Sequence, residues 1–373
     1  MLFNNSKEKL AYIFFFTILF LLTSCASLPP SKNPSLKLQL LDEYIIPADA
    51  QLENTVIGGL SGIQQKNDTY YLISDDPSTP RIYKAHLFTS VKQIDSLSFN
   101  EVVLLDKNNP LLSKTFLDTE DLIIHPINNE FIIVSEGSID NKKDPSIIQF
   151  DEKGKFIRKY EIPSHFTAYS PSRPRNNGIF EAITVSIDQE GFWVANELPL
   201  KADGPKPKLY QTKSPVRFTY YDFENTKPQQ QFSYPLGRIK KIPNVPFSLN
   251  GLTSIMALAK NRFLVLERAF SAGKGKKSHR VVIYEYVLHH NTNTLEKESL
   301  RKLRKQHVEK NLVLDLDVIR KQLPSKSIDN LEGFCYGPTL ENGNKTLLLI
   351  ADNNFNSFMP QLNQLLWFEI IKK

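Results

Sequence analysis

A long-period internal repeat restricts this chain more than any other feature. Five stretches share one layout: a short apolar strand opened by an acidic or small polar residue, a turn, then a strongly apolar strand that ends on an acid. Gly59-Leu60-Ser61-Gly62-Ile63 is followed by YYLISDD, Glu120-Asp121-Leu122-Ile123 by FIIVSEG, and Glu181-Ala182-Ile183-Thr184 by FWVANE. Asn250-Gly251-Leu252-Thr253 precedes FLVLERA, and Glu332-Gly333-Phe334 precedes LLLIADNN. Units that recur in this way are supersecondary modules that bury their apolar faces only against one another.

Markers at residues 59, 120, 181, 251 and 332 are separated by 61, 61, 70 and 81 residues, which leaves room for two further strands per unit. Those strands can be read off as RIYKAHL and SLSFNEVVLL, SIIQF and FIRKYEI, VRFTYYDF and QFSYPL, and RVVIYEYVL and NLVLDLDV. The fifth unit has only QLLWFEII, whereas LKLQLLDEYII at 36–46 precedes the first unit without a partner. Pairing the two closes a ring and removes the open sheet edges. The expected fold is therefore all-β, a β-propeller of four-stranded blades closed by its N-terminal strand. Five blades are counted, and six remain open because the intervals exceed the roughly 40–50 residues of a compact blade. A two-sheet sandwich is the structural alternative, but it needs fewer strands than the chain offers.

Composition agrees with a β-rich globular chain: 24 Phe and 14 Tyr suit pleated, half-buried surfaces, and 2 Cys exclude a disulfide scaffold. The 46 Lys+Arg and 40 Asp+Glu leave a net charge of +6, and bases alternate with acids, so no nucleic-acid partner is expected. The densest basic run, 301–310 (RKLRKQHVEK), reads as a solvated helix face.

Residues 1–24 read as a signal segment. Lys7 and Lys9 precede an apolar stretch at 11–22 that is too short to span about 30 Å of hydrocarbon. Leu22-Thr23-Ser24-Cys25 looks like a bacterial lipobox, which predicts cleavage before a lipidated Cys25. Residues 25–36 then form the acylated cysteine and a Pro- and Ser-containing tether, and 37–373 the domain. The expected chain is exported and anchored to a membrane without spanning it. Ala26 in place of Asp after the cysteine favours the outer membrane. Cys335, the remaining cysteine, lies in an apolar strand and is expected to be a packed thiol.

In a propeller the first strand of each blade lines the channel and the second runs antiparallel beside it. Residues that open the first strand and close the second therefore meet near the axis. That geometry gathers Glu120, Glu181 and Glu332 from strand starts, and Asp75 or Asp76, Glu136, Glu197, Glu267 and Asp352 from strand ends. Like charges 4 Å apart repel by about 4 kcal/mol at an effective dielectric near 20. Such a funnel must shift its pKa values, recruit arginines or bind cations. Arg175, Arg268 and Arg81 are near in sequence, and Asn176, Asn177, Asn353 and Asn354 add amide oxygens. Oxygen donors without a His or Cys cluster suit a hard cation, Ca²⁺ before Mg²⁺. The alternative is that the acids cap turns and pair with neighbouring blades. No G-x-S-x-G elbow, H-E-x-x-H or phosphate-loop motif is present.

Arg175-Asn176-Asn177-Gly178-Ile179-Phe180-Glu181-Ala182-Ile183, Leu264-Val265-Leu266-Glu267-Arg268-Ala269-Phe270, Asp329-Asn330-Leu331-Glu332-Gly333-Phe334 and Leu348-Leu349-Ile350-Ala351-Asp352-Asn353-Asn354-Phe355 resemble the phytase-like family, also called "esterase-like activity of phytase". The resemblance runs from about residue 55 to the C-terminus. It implies a secreted bacterial propeller distantly similar to calcium-dependent phytases, whose acids hold Ca²⁺ ions that bind phosphate and activate water. Glu181, Glu267, Glu332 and Asp352 fall on its motif positions, with Arg175 and Arg268 as anion contacts. Of the phytase D-D-P element the chain has Asp75-Asp76-Pro77, and the full phytase signatures are missing.

Two functional readings follow. One is a monomeric, lipid-anchored, Ca²⁺-assisted hydrolase of a small phosphate or carboxylate ester. Its metal ligands would be Glu120, Glu136, Glu181, Glu197, Glu267, Glu332 and Asp352, with Glu181, Glu332, Asp352, Arg175 and Arg268 at the reacting centre. The other is a non-catalytic envelope propeller that binds a ligand or protein on the same face.

Overall fold

Strands fill the chain from Leu36 onward in the computed structural model, which describes residues 34–290, 292–303, 307–356 and 361–373. The expected signal segment and Cys25 lie outside the described residues. β1 (Leu36–Ile46) is followed by a short pair, β2 (Gln51–Leu52) and β3 (Thr55–Val56). The first blade is β4 to β7 (Leu60–Lys66, Thr69–Ser74, Arg81–Ser90, Gln93–Leu104), and the second β8 to β11 (Thr119–Ile124, Phe131–Ser135, Ser146–Phe150, Phe156–Lys159). The third is β12 to β15 (Phe180–Val185, Gly191–Asn196, Pro215–Asp222, Pro228–Pro235), and the fourth β16 to β19 (Ser248–Ala259, Arg262–Ser271, His279–His290, His307–Asp315). The fifth takes β20 (Leu331–Gly337), β21 (Thr346–Ala351) and β22 (Asn363–Lys372), with β1 as its outer strand.

The inner strands β4, β8, β12, β16 and β20 touch in that order, and β20 returns to β4, so the ring has five blades. β1 pairs antiparallel with β22, Leu36 opposite Lys372 and Ile46 opposite Asn363, and so closes the ring as expected. The intervals beyond a compact blade are taken up by connections such as 160–179, 197–214, 236–247 and 316–330, not by a sixth blade.

Apolar side chains collect into five cores, one at each blade-to-blade interface. A blade therefore depends on its neighbours, and Leu36 and Leu38 of β1 complete the core between the fourth and fifth blades. Cys335 packs in the core between the fifth and first blades, as a buried free thiol. Closing strand, inner ring and all five cores lie within 34–373, which makes this portion a self-contained folding unit.

The basic run at 301–310 departs from expectation. Its described end is not helical: His307 begins β19, where Val308, Lys310 and Leu312 alternate in a ladder with β18. Period-2 pairing within the blade overrides the helical propensity of the charged residues. Lys310 consequently turns inward. It sits 4.5 Å from the Tyr234 ring and 4.3 Å from the Tyr284 ring, and it pairs with Glu267.

Candidate metal centre

One backbone irregularity recurs in all five blades. The inner strand carries a one-residue bulge against its neighbour, and the bulged residues are Ser61, Glu120, Glu181, Thr253 and Glu332. A bulge re-aims a side chain that the regular pleat would send elsewhere. On the neighbouring strand, the residue after the partner of each bulge is Asp75, Glu136, Glu197, Arg268 or Asp352. In four blades its N–H donates to the carbonyl two positions before the bulge: Asp75 to Gly59 at 2.8 Å, Glu136 to Asp118 at 3.0 Å, Glu197 to Ile179 at 2.8 Å and Asp352 to Asn330 at 3.0 Å. Repetition of this joint builds a ring of ten side chains at one end of the channel. This end is the upper rim below.

Two trios bring carboxylate oxygens within 4.8 Å of one another: Glu136, Glu181 and Glu197 of the ring, and Glu120 and Glu136 with Asp118, which joins the ring from just before β8. Glu136 belongs to both. Two glycines make room for this crowding. A Cβ on Gly251 would lie 2.3 Å from Glu197 Oε1, and one on Gly59, at φ +60°, would lie 2.0 Å from Asp75 Oδ1.

Burial dominates the electrostatics. It lifts Glu136 to a pKa of about 8, with Glu197 and Asp118 adding repulsion. Glu197 rises to about 7, burial outweighing the pull of Arg268. Asp118 rises to about 6 through burial, and Asp75 to about 8 through burial and then the charges of Glu332 and Asp118. Glu120, Glu181 and Asp352 are pushed well above the carboxylate range by burial and by their acidic neighbours.

Arg268 is the basic member of the ring. Its Nη1 lies 3.0 Å from Glu332 Oε1 and donates to Asn330 Oδ1 at 2.6 Å, while Nη2 lies 3.3 Å from Glu197 Oε1. Burial alone would lower its pKa, but Glu332, Glu197, Glu181 and Asp352 hold it above the ordinary arginine value. Asn330 ties the remaining acids together, donating to Glu332 at 3.0 Å and to Asp352 at 3.1 Å. Two buried polar atoms on the fourth blade, Arg268 Nε and Thr253 Oγ1, have no hydrogen-bond partner among the described residues.

Of the residues expected in the funnel, Glu120, Glu136, Glu181, Glu197, Glu332, Asp352 and Arg268 come together in the ring. Glu267 does not join them. It is register-equivalent to Ser74, Ser135, Asn196 and Ala351, one residue before the ring position, and strand alternation turns it to the opposite face. There it accepts from Tyr234 Oη at 2.7 Å, Asn250 Nδ2 at 3.0 Å and Gly237 N, and Lys310 holds its pKa below normal despite burial. Arg175 also stands apart, donating to the carbonyls of Pro199 at 2.8 Å and Gly204 at 3.0 Å. Asp75 takes the ring position, whereas Asp76 pairs with Arg81 at 2.9 Å. Asn176 and Asn177 bond to each other at 3.1 Å, and Asn353 accepts Gly59 N–H at 2.9 Å. Asp118 was missed by sequence reasoning. It stands two residues before a bulged Glu, as Asn330 does, and that shared offset was readable.

Among solved structures the chain is similar to an exo-β-1,3-galactanase from Phanerochaete chrysosporium (9% identity, TM-score 0.45), over 88% of this chain and 64% of that one. It is also similar to the major Malassezia sympodialis allergen Mala s 1 (10%, 0.42, over 91% and 90%) and to an exo-1,5-α-L-arabinanase from a bovine ruminal metagenomic library (7%, 0.41, over 83% and 92%). No curated protein matches. The family model described as "Phytase-like: Esterase-like activity of phytase" matches residues 55–355, and the chain belongs to that family.

Proposed function

We propose that the ring is a Ca²⁺ centre of an exported, lipid-anchored hydrolase acting on small phosphate or carboxylate esters. The observation that carries this reading is the division of one ring into two sectors. Five crowded carboxyls, Asp118, Glu120, Glu136, Glu181 and Glu197, meet on the second and third blades, and the orphaned donors Arg268 Nε and Thr253 Oγ1 stand on the fourth. The donors of the first sector are all carboxylate oxygens, which fits a hard divalent cation. The second sector can accept an ester oxygen that becomes more negative during reaction. A bound divalent ion would neutralise substrate charge and acidify a coordinated water.

The chain's own groups do the rest. Arg268 orients Glu197 and Glu332, and its buried Nε is left without a partner among the described residues, a donor that an anion reaching it would satisfy. Asp75 is half-buried and, with a pKa of about 8, holds a proton at neutral pH that can pass to a leaving alcohol. The test is turnover of a panel of phosphate and acyl esters with Ca²⁺ and after chelation. Chelator-sensitive hydrolysis that Glu332→Gln and Asp352→Asn both abolish supports the reading. Thermal stabilisation by Ca²⁺ without turnover of any ester refutes the enzyme and leaves a metal-stabilised binding propeller.

A further inference from the structure

Strand direction fixes the rim at which the chain enters the ring. β22 runs from Asn363 at the upper rim to Lys372 at the lower one, and β1 runs back beside it, so Leu36 lies at the lower rim, opposite the acid ring. The entry is pinned there. Ser35 N and Oγ donate to Glu285 at 2.8 and 2.5 Å, and Lys373 N donates to Ser35 O at 3.0 Å.

Five exposed lysines gather around this point. Lys37 pairs with Ile371, beside Lys372 and Lys373, and the carbonyl of Lys345 accepts from Ile370 N at 2.9 Å. Lys92, at the tip of the β6–β7 hairpin, reaches Glu369 at 4.0 Å. Glu369, kept ionised by hydrogen bonds from Asn342 and Asn344, and the exposed Glu341 of the neighbouring turn offset two of the five charges, so the corner stays net cationic. Next to Lys92, Val91 is 83% exposed, and Ile127 on the β8–β9 turn of the same rim is 87% exposed.

We propose that this lower rim rests on an anionic lipid surface, with the lysines at the headgroups and the apolar turn tips at the interface, so that the acid ring faces away from the membrane. The proposal rests on the lipid anchor at Cys25. Lengths favour this orientation. The eleven residues from Cys25 to Leu36 reach at most ~40 Å when fully extended. β1, also eleven residues, sets the upper rim ~35 Å from the entry point. Presenting the acid ring to the bilayer would consume nearly the whole tether and leave the lysines in water. Resting on the lower rim needs neither, and each lysine near an anionic surface strengthens partitioning about fivefold.

The acylated full chain, reconstituted into phosphatidylethanolamine vesicles with or without phosphatidylglycerol, tests the orientation. A fluorophore is placed at Val91→Cys or, on the upper rim, at Phe247→Cys, and quenching by spin-labelled lipid is read. The expected result is strong quenching at position 91 when phosphatidylglycerol is present, little at 247, and loss of the contrast when Lys37, Lys92, Lys345 and Lys372 are changed to Gln. Equal quenching at both positions, or stronger quenching at 247, overturns the proposal. A chain that does not float with vesicles refutes the anchor alone. In that case residues 34–373 are sedimented with phosphatidylglycerol vesicles at low salt, where binding that falls about fivefold per lysine removed supports the lysine surface and absence of binding overturns it.

Discussion

If the crowded carboxyls hold a cation, its binding must displace their protons, and the size of that coupling follows from the ring. Glu136, shared by both trios, has a pKa of about 8 and Glu197 one of about 7. Both folded values lie above the ordinary carboxylate value, so in the metal-free chain the protonated ring is the stable one. Its contribution is complete below about pH 4.5 and is lost as pH rises through about 7–8. A cation needs the opposite state. Between pH 6 and pH 9 the Glu136 proton withholds a factor of ~100 in apparent affinity and the Glu197 proton a factor of ~10, together ~10³ or about 4 kcal/mol. Calorimetric titration with CaCl₂ in two buffers of different ionisation heat measures both quantities. We expect at least about two protons released per ion at pH 6 and fewer at pH 9, with affinity rising by at least about a thousandfold, since Glu120 and Glu181 of the same trios are also pushed above the carboxylate range by burial. Equal affinity at the two pH values, or binding without proton release, would refute the assignment of Glu136 and Glu197 as ligands.

Three further outcomes separate metal-binding from structural acids. Glu136→Gln removes the charge common to both trios: Ca²⁺ affinity by calorimetry should fall on the order of 100-fold, while relief of repulsion raises the metal-free melting temperature at pH 8 by ~2–4 °C. Arg268→Met leaves Glu197 and Glu332 without their cation, so urea unfolding at pH 8 should show a loss of ~3–5 kcal/mol that shrinks as the pH is lowered, because protonation relieves the uncompensated charge. Lys310→Met strands Glu267 in the same way and should cost a comparable ~3–5 kcal/mol, yet leave Ca²⁺ affinity within about twofold, because Glu267 faces away from the ring. A large affinity loss in the Lys310 variant would return Glu267 to the site.

The contrast between Glu267 and Arg268 shows where the sequence was legible. Blade number, the inner-strand starts and closure by 36–46 were readable because apolar period-2 runs and an unpaired first strand follow from burial alone, which every unit shares. Side-chain direction at the strand ends was not readable in the same way, since it depends on register to within one residue. In the fourth unit the sequence Leu266-Glu267-Arg268 places its acid one position earlier than Ser74-Asp75, Ser135-Glu136, Asn196-Glu197 and Ala351-Asp352, and a one-residue slip moves a side chain to the other face. Matching the unit ends as residue pairs would have put Arg268 with the acids and Glu267 with the outward Ser and Asn. The bulges explain why the starts tolerated a cruder alignment: in each blade one residue leaves the pleat at the same step, so Glu120, Glu181 and Glu332 reach the axis together whatever the length of the preceding loop. Arg268 in an acid's place has a physical consequence as well. A ring with acids in all five blades would repel any anionic substrate, whereas one cationic sector beside the crowded carboxyls lets a cation and an anion share a single rim.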